Sequence, residues 1–121
     1  MATPERLMAT GMPAGQAQVL GFTQATGLTA AGTNQGNALD ISATDINVFT
    51  TVAAGTGARL ASAEGQPLQC VYNGGVSALL VYPAGTETIN ALGASTAISV
   101  PAGKSAVFFP GRLSWVANIS A

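Results

Sequence analysis

The sequence predicts an all-β protein, an antiparallel β-sandwich or jelly-roll-like domain over residues 47–121. An extended N-terminal arm carrying short helices precedes it, over residues 1–46. Three observations predict this. From Ile46 onward apolar residues recur with a period of two, Gly, Pro and Asn clusters interrupt the chain at short intervals, and no helical period lies between them. Many short strands without crossover helices read as a sandwich, jelly roll or small barrel.

The arm has its own grammar. In "TPERLMATG", Thr3 is an N-cap, Pro4 and Glu5 suit a first helical turn, and Gly11 lies past the end. In "PAGQAQVLG", Pro13 opens and Gly21 closes a second short helix. Neither reaches the ~12–15 residues that make an isolated helix even marginal. Each needs a surface, which Leu7, Met8, Val19, Leu20 and Phe22 can face. "TQATGLTAAGTNQGNALD", residues 23–40, reads as a long polar loop with neither period, of the kind that docks on a partner or stays mobile.

The strands follow near 47–52, 57–61, 67–73, 77–83, 86–89, 97–100, 104–109 and 112–117, separated by "AAGTG", "NGG", "PAG", "LGAS", "PAG" and "PG". Pro-Ala-Gly suits a tight turn, because proline presets the backbone and glycine relieves the exit. Alternation places Leu113 and Trp115 on one face of the last strand. It places Leu68, Cys70 and Tyr72 together, opposite Gln69 and Asn73.

Composition limits what the domain can do. Of 121 residues, 48% are hydrophobic but only 6% aromatic, so the core is built mainly from Val, Leu, Ile and Ala. Only 7% are charged, against roughly 25% in an ordinary soluble domain. Arg6, Arg59, Lys104 and Arg112 are scattered, so no basic patch exists to grip nucleic acid or an anionic membrane. No apolar run approaches the ~20 residues of a membrane span, and none of signal-peptide length follows Met1. A lone Cys70 implies no intrachain disulfide.

Catalytic chemistry is hard to assemble from these residues. The chain has no histidine, which removes the usual general base and metal ligand. Cys70, mid-strand on an apolar face, reads as a small core hydrophobe. Asp40 and Asp45 in "DISATD" lack the glycine and closing glutamate of a calcium loop and read as turn or cap acids. Glu64 and Glu87 are isolated in loops, and "GTNQGN" lacks the lysine and the strand–helix setting of a phosphate loop. Trp115 reads as core rather than as a sugar-stacking platform. The sequence therefore predicts a protein that is not an enzyme, with no catalytic, cofactor-binding or metal-binding residue.

Three segments carry a resemblance. They are "TVAAGTGARL", "VYNGGVSALLVYPAGTETIN", and "SVPAGKSAVFF" followed by Trp115. Together, over about residues 46–117, they resemble a strand pattern of tailed-bacteriophage virion proteins, and the chain looks most like a head decoration, or capsid cement, protein. "LMATGMPAGQAQVLG" is similar to leader segments of small phage structural proteins. The resemblance implies a homotrimer on the capsid exterior that clamps neighbouring major capsid protein subunits, assembled in the bacterial host cytoplasm. It transfers no site residue. The alternative is a glycan-binding or structural β-module of a phage tail or fibre, which would expose Trp115, or Tyr72 and Tyr82. A further rival is an acid-dependent hydrolase using Asp40 and Asp45, or Glu87, which needs two carboxylates converging in a cleft.

Overall fold

A computed structural model describes residues 23–64 and 68–120. The two short helices expected in residues 1–22 lie outside the described residues. Among the described residues there are ten strands: β1 (Gln24–Thr29), β2 (Leu39–Asp40), β3 (Ile46–Thr51), β4 (Gly57–Arg59), β5 (Gln69–Asn73), β6 (Leu79–Tyr82), β7 (Thr88–Ile89), β8 (Ile98–Val100), β9 (Ser105–Pro110) and β10 (Ser114–Ile119). The protein is all-β, as expected, and each strand anticipated after Ile46 has a counterpart among β3 to β10.

The pairing departs from the antiparallel sandwich. One sheet has the order β1-β3-β5-β9-β10-β7 and the other β2-β4-β6-β8. β1, β3 and β5 run parallel, and so do β2, β4 and β6. The chain thus alternates between sheets in three coils, β1–β2, β3–β4 and β5–β6, stacked like turns of a solenoid. Parallel strands normally require a helical crossover, whose absence argued for antiparallel pairing. Here the strand in the opposite sheet serves as the crossover. Apart from one bridge between Ala31 and Gly57, antiparallel pairing enters afterwards, where β8 joins β6, and β9 inserts between β5 and β10.

The segment expected to be a long loop is part of this stack. Residues 24–29 form β1 against β3, and Leu39–Asp40 form β2 against β4. Between them Asn34 caps a single 3-10 turn over Gln35–Asn37. The Gly-rich composition hid β1, whose alternation is broken by Gly27 at φ +69° and by register shifts against β3.

Both sheets bury their inner residues in one cluster, including Phe49, Val71, Phe108 and Trp115 from the large sheet and Ala58, Leu79, Val81 and Val100 from the small one. Gly57 permits a close approach of the coils, since a Cβ there would stand 2.3 Å from the Leu80 carbonyl oxygen. Buried amides clip the corners where the chain changes sheet. Gln69 accepts from the Ala61 N–H and donates to the Ile41 and Thr44 carbonyls. Asn73 donates to the Ser77 and Val100 carbonyls and accepts from the Gly75 N–H. Asn47 donates to the Thr44 and Cys70 carbonyls and accepts from the Thr44 hydroxyl. Corner backbone cannot complete a ladder, and buried donors and acceptors must be paired, so these amides stand in for missing strands.

They also reverse the predicted faces of β5. Gln69, Val71 and Asn73 point inward, while Cys70 is half-buried and Tyr72 exposed on the outer side. Trp115 is buried as expected, but Leu113 is not its neighbour on a strand face. It lies in the β9–β10 hairpin tip at φ +56° and is 52% exposed.

Candidate functional site

The outer face of the large sheet follows from the inner one by alternation. With Asn47 and Phe49 buried, β3 turns Ile46, Val48 and Thr50 outward. β5 adds Cys70 and Tyr72, with Cys70 beside Ile46 and Tyr72 beside Val48. β9 adds Val107, opposite Cys70, and Phe109, which pairs directly with Val116 of β10. Tyr72, Phe109 and Val116 are 44%, 46% and 59% exposed. These positions carry no Asp, Glu, Lys or Arg. The result is a sheet surface whose strand positions are uncharged and largely apolar, interrupted by Thr50, by Ser105 beside Tyr72 and by Asn118 beside Val107.

A second feature is an open cleft of about 420 Å³, lined by Ser62, Ala84, Gly85, Thr86, Glu87 and Leu113. The β4–β5 corner supplies Ser62, the turn before β7 supplies Glu87, and the hairpin tip supplies Leu113. Glu87 is buried. Its Oε1 accepts from the Ala63 N–H at 2.9 Å and its Oε2 from the Ser62 hydroxyl at 2.5 Å. Gln35 braces the neighbouring turn by donating to the Pro83 and Gly85 carbonyls. Another cleft, of about 350 Å³, runs between Thr50–Ala53 and Gly74–Val76 and holds no ionisable group.

The acids singled out from sequence each have partners of their own. Asp40 accepts from the Ser42 N–H at 2.9 Å and pairs with Arg59 at 3.4 Å. Ser42, and then the Arg59 charge, hold its carboxyl below the usual aspartate value. Asp45 accepts from the Thr23 N–H, tying β1 to the start of β3. Both act as turn and junction acids. Among the described residues, the Glu87 cleft has no other carboxylate in its lining, and no group of three metal-ligating residues occurs.

Cys70 faces outward rather than into the core. Burial pushes its thiol up, and the Asp45 carboxylate adds to that. Of the aromatic residues a glycan module would expose, Trp115 is buried, Tyr82 half-buried and Tyr72 exposed. Sequence reasoning missed both the charge-free face and the Glu87 cleft. The face carried a signal, because Phe109 and Val116 flank the "PG" turn at positions that pair across a hairpin. The cleft carried none, since Ser62, Glu87 and Leu113 are far apart in the chain. Compared with known protein families, curated proteins and solved structures, the chain matches none.

Proposed function

We propose that this is a structural virion protein that binds the outside of a phage capsid as a homotrimer and clamps neighbouring major capsid subunits. The observation that carries the proposal is the charge-free outer face of the large sheet. In a closed trimer each copy sets one patch against a different surface of the next, and a patch whose strand positions carry no charge imposes no like-charge repulsion there. Removing its apolar side chains from water favours association. The scarcity of charge across the whole chain suits a protein whose task is to bury surface, because desolvating charges is costly. Many copies on one particle turn a modest contact into strong retention through avidity.

Purified chain mixed with heads lacking decoration tests this. Cosedimentation with the heads and greater resistance of the particles to heat are expected. Absence of the chain from the pelleted heads overturns the reading. One observation favours the alternative of a glycan-binding or structural β-module of a tail or fibre. Tyr72 is exposed and offers an aromatic surface for stacking. Retention on immobilised host polysaccharide, lost in Tyr72→Ala, would select that reading.

A further inference from the structure

We propose that the cleft beside Glu87 is a socket for a cationic side chain of the protein's partner. The inference rests on the cement reading only in naming that partner as the capsid subunit.

Two independent features converge on this cleft. The first is Glu87. A carboxylate removed from water is costly unless compensated, and its two bonds from Ala63 and Ser62 come from neutral donors. No ion pair joins it to a cation among the described residues, where Arg59–Asp40 is the salt bridge present. Arg112, next to the cleft-lining Leu113, is exposed and does not reach it. Each carboxylate oxygen has more than one acceptor site, so a donor entering the cleft can bond without displacing Ala63 or Ser62.

The second feature is Leu113. A bulky residue in the left-handed region is strained, and strain of this kind gathers at functional positions. The hairpin tip holds Leu113 at φ +56°, half-exposed, as the apolar wall of the same cleft. A carboxylate beside an exposed apolar wall fits the two parts of an arginine or lysine side chain. The charged head meets Glu87 and the methylene stem lies along Leu113. Arginine fits best, because its planar fork matches a carboxylate. In a chain with so few charges, one buried acid gives the docking a fixed position.

The test uses the whole chain and defined probes. An amide-resolved NMR titration with n-butylguanidinium is compared with the neutral n-butylurea. The signals of Ala63, Glu87 and Leu113 are expected to shift saturably with the guanidinium and not with the urea. Glu87→Gln keeps an acceptor for the Ala63 N–H and a partner for Ser62, so the fold stays intact while the response disappears. Leu113→Asn, which suits a positive φ, should weaken binding several-fold without touching the carboxylate. Equal responses to the two probes, or an unchanged response in Glu87→Gln, overturns the socket. On decoration-free heads, Glu87→Gln should bind at least tenfold more weakly than the unmodified chain. Equal binding of the two would remove the capsid as the socket's partner. Failure of the unmodified chain to bind heads would instead remove the cement reading and leave the titration to decide the socket.

Discussion

Trp115 donates from its indole Nε1 to the Ala61 carbonyl at 3.3 Å, linking β10 to the corner that leads from β4 toward β5. The last strand is thereby fastened to the second coil across 54 positions of sequence. Trp115→Phe should cost about 1–3 kcal/mol, mostly by leaving that buried carbonyl unpaired. Trp115→Ala should cost about 3–5 kcal/mol by also opening a cavity. Urea denaturation measures both. Native fluorescence should be blue-shifted and resist quenching, and a red emission maximum would contradict the burial.

Gln69 serves backbone groups of two different corners. Gln69→Leu would leave the Ala61 N–H unpaired and strip one donor each from the Ile41 and Thr44 carbonyls, which keep the Thr44 N–H and the Asn47 amide. At about 1–3 kcal/mol for each buried group left unmade, this should be among the most damaging single changes. An exposed substitution such as Val76→Ala should be near neutral by comparison. The urea midpoints of the two variants check the ranking.

Cys70 should react in the native state, but slowly. Its thiol is only half-buried, yet desolvation and the Asp45 charge hold its pKa above the ordinary value. The thiolate is the reactive form. The labelling rate should therefore keep climbing past pH ~8.5, where a free thiol is half-ionised. Asp45→Asn removes one of the two causes and should speed labelling at a fixed pH. Stopped labelling with a chromogenic disulfide reads both effects.

Asp40 should contribute a small acid-sensitive increment of stability. Its folded pKa is depressed below the 3.8 of a free carboxyl. The increment is therefore complete above that value and disappears as pH falls through the lower, folded one. Because the carboxylate is solvent-exposed, screening keeps the contribution to about 0–1 kcal/mol. Asp40→Asn should flatten the stability curve below pH ~4 and change little at neutral pH.

The isolated chain should scatter light as a trimer, at three times its 12.0 kDa mass. Val116→Glu places a charge on the outer face opposite Phe109 and should return the monomer with its fold intact. A trimer that survives this change would move the interface elsewhere.

Much of the strand layout was legible in the sequence, because glycine and proline turns and a two-residue period leave local marks. The way the strands pair was not. A solenoid announces itself by a repeat of roughly 20 to 25 residues, and here, apart from Thr29 on Thr51, the stacked positions of β1, β3 and β5 differ in residue type. Leu28, Phe49 and Asn73 form one row through the coils, and Ala25, Asn47 and Val71 another. The inner face of β5 was misread for a related reason. Gln69 and Asn73 look like surface residues until the corner backbone groups they satisfy are known. For the candidate site, the charge scarcity was visible at once, but the meeting of Glu87, Ser62 and Leu113 is purely tertiary.

The change from parallel coils to antiparallel strands sets how far such a stack can grow. Among the described strands, β1 forms one edge of the large sheet over six residues. The opposite edge is the two-residue β7, and the small sheet ends there in the three-residue β8. A fibril needs every unit to be receptive at both ends, and short edge strands are poor templates for it. Copies that met edge to edge through β1 would consume the one long edge each possesses and stop at a pair. Among the described strands, the short closing edges β2, β7 and β8 thus act against open-ended edge-to-edge polymerisation of the fold.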